Sequence, residues 1–525
     1  MTEHTGKPQY EVAVIGAGPG GIAAGAKLRM SGIDDIVILE RADDVGGSWH
    51  ENRYPGIAVD VPSTTYQYSF ARNPRWTRFF AYGPEVKQYH SDVAREYGLY
   101  EKTRFNSNVR REIWDDAGRF WTLHLDDGAT VTARFLISAI GAFVRPKEDV
   151  GIAGAKSFRG KIQRPTSWDY DYEMAGKKVG IIGTGASAVQ IVPAIAPEVG
   201  TLAVFQRTPV WSVPKPDFVV PEAMKRGLAV PGVSATINGA AFVAVDLLLR
   251  LVSQTPGRYF RPAAGKFDAW MIAGYRRYVR RVVKDPQTAA KLSPDFGVLA
   301  KRPTMSTGYL PAYNRDNVTL ITDPIEKITP TGVRTRDGVL HKLDVLILAT
   351  GYEVFSDPET YVPGTIVGRA GFDLAEFYRE QGLQAYQSVS VAGLPNRWTL
   401  VGPYSWSGTS WHAFVETTAD HAVRAITETR SRRADVCEVR PEVAAEYHQK
   451  IYERAEGVRY YLCELNGHVP TYYRNSQGDS TYVRPESFFT ARRRTRKFPL
   501  DDYRYEAAAP APAHQPEQAR DSVRP

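Results

Sequence analysis

Residues 10–41 read YEVAVIGAGPGGIAAGAKLRMSGIDDIVILER, and residues 178–208 read KVGIIGTGASAVQIVPAIAPEVGTLAVFQRT. Each has a short apolar strand, a glycine-rich turn, a helix-compatible stretch and a second apolar strand. That is a β-α-β unit, and the chain contains it twice. In the first copy Gly16, Gly18 and Gly21 give G-x-G-x-x-G. In the second, Gly183, Gly185 and Ala188 give G-x-G-x-x-A, with Ser187 beside the last position. The first glycine permits the tight turn, and the second lets backbone approach a pyrophosphate. The third position needs a small residue for close helix–strand packing. The N-terminus of the helix then presents free N–H groups and a positive dipole end to the phosphates.

The end of the second strand separates the two copies. Glu40 follows Gly16 by 24 residues, and Arg207 follows Gly183 by 24 residues. An acid there accepts hydrogen bonds from an adenosine ribose, whereas a base pairs with a 2′-phosphate. The first unit is therefore expected to hold FAD or NAD, and the second NADP. Two further apolar runs close on glycine, FLISAIG at 135–141 and VLILATG at 345–351. A glycine there lets backbone pass near a flat cofactor. Two nucleotide sites in one chain, one of them for NADP, point to a flavoenzyme that takes hydride from NADPH.

Composition bounds the rest. A chain of 525 residues suggests roughly three structural units and needs no disulfide or metal staple. Apolar and charged residues, 43% and 24%, are at globular levels, which excludes a disordered or fibrous protein. The two cysteines, Cys437 and Cys463, exclude a disulfide framework, a cysteine zinc cluster and a C-x-x-C dithiol reductase. Low cysteine usage fits a cytoplasmic location, and MTEHTGKPQY lacks the pattern of a signal peptide. The net charge of +8 suits an anionic cofactor, and no nucleic-acid module accompanies it. The run RRRTRK at 492–497 reads as a solvated face. The longest apolar stretch, Ile237 to Val252, is interrupted by Asp246 and Arg250 and is too short for a membrane span. It reads as a buried or amphipathic helix.

Three stretches make the chain more specific: GGSWHENRYPGIAVD at 46–60, FRGKIQRPTSWD at 158–169, and Lys301-Arg302. With the two glycine-rich turns, they make the chain resemble the Baeyer–Villiger monooxygenases, flavin enzymes that insert oxygen beside a ketone carbonyl. The resemblance runs from about residue 9 to 505. It includes GLPNRWTLVGP at 393–403 and FFTARRRTRKFPLDDY at 488–503. It implies an α/β fold with two Rossmann-like domains, for FAD and NADP, and a helical insertion. It also implies a ketone and dioxygen as substrates, and an ester or lactone as product, formed through a flavin peroxide.

The resemblance assigns Arg302 to the stabilisation of negative charge formed in the reaction, with Asp60 pairing and positioning it. It assigns Lys301, Arg207 and Thr208 to the NADP 2′-phosphate. Gly47 and Trp49 fall at the flavin, where Trp49 and Tyr54 either pack on the cofactor or fill core. Gln190 is a weaker candidate for cofactor contact. One departure stands out. Arg164 occupies the position where the family's linker fingerprint has histidine, and arginine has no acceptor and keeps its charge. Either coupling of NADPH use to oxygenation is altered, or Arg164 forms the interdomain contact differently. A nitrogen- or sulfur-oxidising monooxygenase, an uncoupled NADPH oxidase and a nucleotide-bound scaffold remain alternatives.

The organisation expected is a first flavin segment at 1–150 and an NADP segment at 151–213. A helical insertion at 214–300 follows, then a second NADP segment at 301–375. The chain returns to the flavin domain at 376–506 and ends in a disordered tail at 507–525. Tyr404, Trp406 and Trp411 either line an apolar substrate pocket or pack in the core. The substrate and the oligomeric state are not legible.

Overall fold

The computed structural model describes residues 7–147, 150–255, 257–406 and 410–507. Both glycine-rich units form as read. Strand Tyr10–Ile15 leads through the turn into helix Pro19–Met30 and then strand Ile36–Leu39. Strand Lys178–Ile182 leads into helix Ala186–Ile195 and then strand Thr201–Phe205. In each unit the first strand is central. Tyr10–Ile15 pairs in parallel with Ile36–Leu39 on one side and Thr130–Ser138 on the other. Lys178–Ile182 pairs in parallel with Thr201–Phe205 and with Val345–Leu348. The two runs read as closing strands thus take equivalent places in the two sheets.

These strands are continuous apolar runs because both their faces are covered. Phe135, Leu136 and Ile137 are buried, as are Val345, Leu346 and Ile347. Full burial of such side chains stabilises the fold by about 1.5–3 kcal/mol each before chain entropy is counted. The first sheet extends through the antiparallel strands Val109–Asp115 and Phe120–Leu125. Ile366–Val367 and Arg397–Thr399 rejoin it later in the chain. The second sheet has five strands, with Val318–Ile321 and Lys161–Gln163 at its edges.

The return to the first sheet occurs earlier than the boundary at residue 375 expected from the sequence. Ile366–Val367 is two residues long and shows no periodicity to read. At the other end, strand Tyr503–Ala507 pairs with Ala434–Val439. It therefore includes Ala507, which the reading placed in the tail; residues 508–525 lie outside the described residues. Helices Glu222–Ala229, Val233–Gln254, Gly257–Val282 and Pro286–Lys291 occupy the stretch between Ser212–Val213 and Thr304–Met305. No single described helix is long and apolar enough to cross a membrane.

Two readings gain detail. The stretch from Ile237 is helical, but Ile237, Val243 and Leu247 face outward while Ser234, Asn238 and Asp246 are buried. Helical spacing defines a stripe and not the side on which protein lies. The basic run at 492–497 lies largely in helix Phe488–Arg496; Arg493, Arg494 and Lys497 are exposed, as a solvated face requires, while Arg494 pairs with Glu486 and Arg496 with Asp420.

Candidate active site

The two glycine-rich turns open into one cleft of about 1470 Å³. Close packing builds its floor. Gly16 has φ +95°, and a Cβ there would lie 2.9 Å from the Ala139 carbonyl oxygen. A Cβ at Gly21 would lie 1.8 Å from the Gly16 carbonyl oxygen, so the helix fits against the turn only with glycine there. Gly47 (φ +53°) stacks backbone to backbone on Gly18, with 2.9 Å between its hypothetical Cβ and the Gly18 Cα. Gly183 repeats the role of Gly16 against the Ala349 carbonyl oxygen, at 2.3 Å. Gly185 has open space instead, so the backbone there is free to meet a ligand. Neither helix Pro19–Met30 nor helix Ala186–Ile195 has a side-chain cap on its N-terminus. Their first N–H groups are left for a ligand or water.

The two strand ends are chemically opposite. Glu40 is buried, and its carboxylate accepts hydrogen bonds from the backbone N–H groups of Ala17 (2.6 Å) and Ala42 (2.8 Å). The turn therefore fixes the acid at the rim of its own glycine cradle. Arg207 lies near Lys301, and neither forms an ion pair among the described residues. Burial, and then the neighbouring Arg207 charge, pull the Lys301 ammonium below the usual lysine range. Two unneutralised cations side by side make a site for a dianion such as a phosphate. Thr208 lies beside them, its carbonyl accepting from the Thr184 hydroxyl at 2.8 Å. These features fit an FAD adenosine at the first unit and a 2′-phosphorylated NADP at the second.

Between the two cradles, Arg302 and Asp60 form an ion pair. They are brought together from the loop after Tyr54 and the segment after the helical insertion. Asp60, above all, raises the guanidinium well above its ordinary range, and Tyr472, Tyr473 and Tyr482 add to this. The arginine is charged at any working pH, and 41% of its side chain still faces the cleft.

Of the residues assigned from the sequence to the reaction or to cofactor binding, all but Gly21 line this cleft. Gly21 acts one layer below, against Gly16. Gln190 is committed to the chain: its Oε1 accepts from the Tyr54 hydroxyl (3.0 Å), and its Nε2 donates to the Ala58 carbonyl (2.9 Å). It ties the second unit to the loop that carries Asp60. Ser187 lies on the same helix at the cleft. Trp49 donates from its indole N–H to the Tyr66 hydroxyl at 2.9 Å and packs edge-on against that ring. Trp406 and Trp411 line the cleft, whereas Tyr404 is in the core. Arg164 lies at the wall and donates to the Lys147 carbonyl at 3.4 Å, a contact with the segment crossing between the sheets.

Two features were not found from sequence. The tyrosines at 472, 473 and 482 gather around Arg302; their signal was the aromatic density of TYYRNSQGDSTYV at 471–483. Behind Tyr66, His90 and His412 are fully buried with their Nε2 atoms 2.8 Å apart. Burial pushes His90 down to about 3 and His412 well below the ordinary histidine range, so both rings are neutral. No local pattern announces a pair so distant in sequence.

The nucleotide-binding portion, residues 13–224, matches a family model described as pyridine nucleotide-disulphide oxidoreductase. A Baeyer–Villiger monooxygenase of Streptomyces coelicolor is 33% identical over 518 residues, which are 97% of this chain and 96% of the relative. A steroid monooxygenase bound to NADP superposes with TM-score 0.81 at 28% identity, covering 95% of this chain and all of the other. OTEMO in complex with FAD and NADP superposes with TM-score 0.82 at 26% identity, again over 95% and 100%. A cleft with two nucleotide cradles, an arginine–aspartate pair between them, and this likeness over nearly the whole length lead to one conclusion: the chain belongs to the Baeyer–Villiger monooxygenase family, the FAD- and NADPH-dependent enzymes that place one oxygen atom beside a ketone carbonyl.

Proposed function

We propose that Arg302, held by Asp60, is the group on which ketone oxygenation by this chain depends. The observation that supports this is the pair itself, placed between the acidic and the basic nucleotide cradles and open to the cleft. Bound FAD supplies the activation of dioxygen and bound NADPH the hydride. Gly16, Gly18, Gly47 and Glu40 hold the first cofactor, with Trp49 at its edge. Gly183, Gly185, Ser187, Arg207, Thr208 and Lys301 hold the second. Gln190 positions the Asp60 loop at the cleft wall.

The chain's own contribution is electrostatic. Negative charge develops on the carbonyl oxygen as the carbonyl carbon becomes tetrahedral. Arg302 presents N–H donors and a permanent charge to it, in a cleft that limits water. Asp60 removes the freedom of the guanidinium to turn away. Trp406, Trp411 and Tyr473 give the substrate end an apolar wall, which suits a ketone with a substantial hydrocarbon frame. The two unpaired cysteines suit a reducing compartment, and we place the enzyme in the cytoplasm.

Replacement of Arg302 tests the reading. With Arg302→Met, ester or lactone formation is expected to fall by about 10²–10³-fold, the usual loss of one such donor. Reduction of the flavin by NADPH, followed at its visible absorbance without air, should keep its rate. A variant that oxygenates a cyclic ketone within about three-fold of the wild type would remove Arg302 from the chemistry.

A further inference from the structure

Helix Val233–Gln254 has its amphipathic pattern reversed. Ser234, Asn238 and Asp246 are buried against the protein. The Asn238 amide donates to the Thr64 carbonyl at 2.6 Å, and Asp246 accepts from the backbone N–H of Phe488. These polar contacts fix the rotation of the helix. The opposite face presents Ile237, Ala240, Val243, Ala244 and Leu247 to solvent. Ile237, Val243 and Leu247 are each about half exposed, as is Val230 just before the helix. Apolar surface this continuous is unusual on a free face.

The charge around it is one-sided. Residues 222–291 contain twelve Lys and Arg against four Asp and Glu. That excess of eight equals the net charge of the whole chain, +8. Two of the four acids, Asp246 and Asp268, are buried; of the cations, Lys225 is paired with Glu222 and Arg261 with Glu456 and Glu464, and the other arginines of helix Gly257–Val282 form no ion pair among the described residues. Tyr259 and Trp270 on the next helix are 60% and 69% exposed. Apolar residues, exposed aromatics and a cationic surround are the composition of an element that lies in a lipid interface. Glu222–Ala229 and Val233–Ala244 are together apolar enough for a bilayer, but they meet at 94°, a bend that suits lying on a surface.

We propose that this face docks on an anionic lipid surface. Lipid headgroups of negative charge complement the excess cations of this region, and the helix face enters the acyl boundary. A second copy of the chain would bring the same cations face to face. Residues 508–525 carry two acids and two arginines and offer only alanine and valine as apolar side chains, so they complement neither property. Docking would also place the cleft usefully. The segment Glu456–Arg459 packs against both helix Val233–Gln254 and helix Gly257–Val282, and its Val458 lines the cleft. A ketone dissolved in lipid would then reach the enzyme at the site of docking.

The test is co-sedimentation of the FAD-loaded full chain with vesicles. One set is phosphatidylcholine alone and the other contains roughly one third phosphatidylglycerol. Binding to the anionic set is expected to be at least about ten-fold tighter, and to be lost in concentrated salt. The double variant Val243→Glu, Leu247→Glu should lose about ten-fold or more. Its flavin absorbance and its turnover of a small water-miscible ketone should match the wild type, which reports that it has folded. Failure of the wild type to sediment with anionic vesicles overturns the proposal without using the variant. Equal binding of a folded variant overturns it as well. A wild type that is dimeric by light scattering and a variant that is monomeric would assign the face to a second copy instead.

Discussion

Replacing Arg207 by glutamine removes one of two adjacent cations while leaving a side chain of similar reach. A charge-assisted hydrogen bond contributes about 1.5–3 kcal/mol, which corresponds to about 10- to 150-fold in affinity. Arg207 is exposed at the cleft, so water screens its charge and the lower part of that range applies. The expected change is roughly a 10- to 30-fold rise in KM for NADPH. KM for NADH, which has no 2′-phosphate, should move by less than about two-fold. The pH dependence carries a second signature. Burial and then the Arg207 charge lower the Lys301 pKa, so Lys301 loses its proton at a lower pH than a free lysine. In the wild type KM for NADPH therefore begins to climb on the alkaline side as Lys301 neutralises. Glutamine at 207 removes the repulsive part and leaves burial, so the climb should begin at higher pH in the variant. The assay is steady-state oxidation of NADPH and of NADH across alkaline pH, with a ketone at saturation. A variant that raises both KM values by the same factor, or whose alkaline limb does not move, would refute the pairing of these two cations on the phosphate.

Two further outcomes follow from packing. Gly21→Ala would put a methyl group 1.8 Å from the Gly16 carbonyl oxygen, so the protein should purify largely without flavin, as read by the absorbance ratio of flavin to protein. In the first sheet, the Arg397 and Glu112 side chains are 5% and 9% exposed and pair at 2.6 Å. Glu112→Ala strands a buried guanidinium and should destabilise the chain by about 3–5 kcal/mol in urea unfolding, whereas a midpoint within error of wild type would show that water reaches the pair.

What could be read in advance was local. Gly16, Gly18 and Glu40, or Gly183, Gly185 and Arg207, act within one β-α-β unit, so their spacing carries their meaning. The Asp60–Arg302 contact spans 242 positions and came from family resemblance, since no spacing rule reaches that far. The tyrosines around Arg302 and the His90–His412 pair depend on how three distant segments converge. Gln190 shows the opposite limit. Its position on the second helix was legible, but its amide is taken up by Tyr54 and Ala58, partners that only the packed structure supplies. For helix Val233–Gln254, the apolar run announced a buried or amphipathic helix, while the side that meets the protein is set by its contacts with Thr64 and Phe488.

The chain passes between its two sheets twice, and the two passages lie together. Strand Phe143–Pro146 leaves the first sheet, Tyr352–Val354 comes back towards it, and the two pair antiparallel with Arg145 bridging to Glu353 at 2.9 Å. Gly141 and Gly351, both with positive φ and free space around them, stand at the ends of this ribbon. A single connection would let one body swivel and twist against the other in every direction. A paired ribbon resists twisting, because its ladder hydrogen bonds and the ion pair hold two backbones along one line. Arg164 bonds to Lys147 just past one end of that line. The two nucleotide cradles are thereby joined at the cleft wall by hydrogen-bonded backbone and an ion pair, not by a free linker.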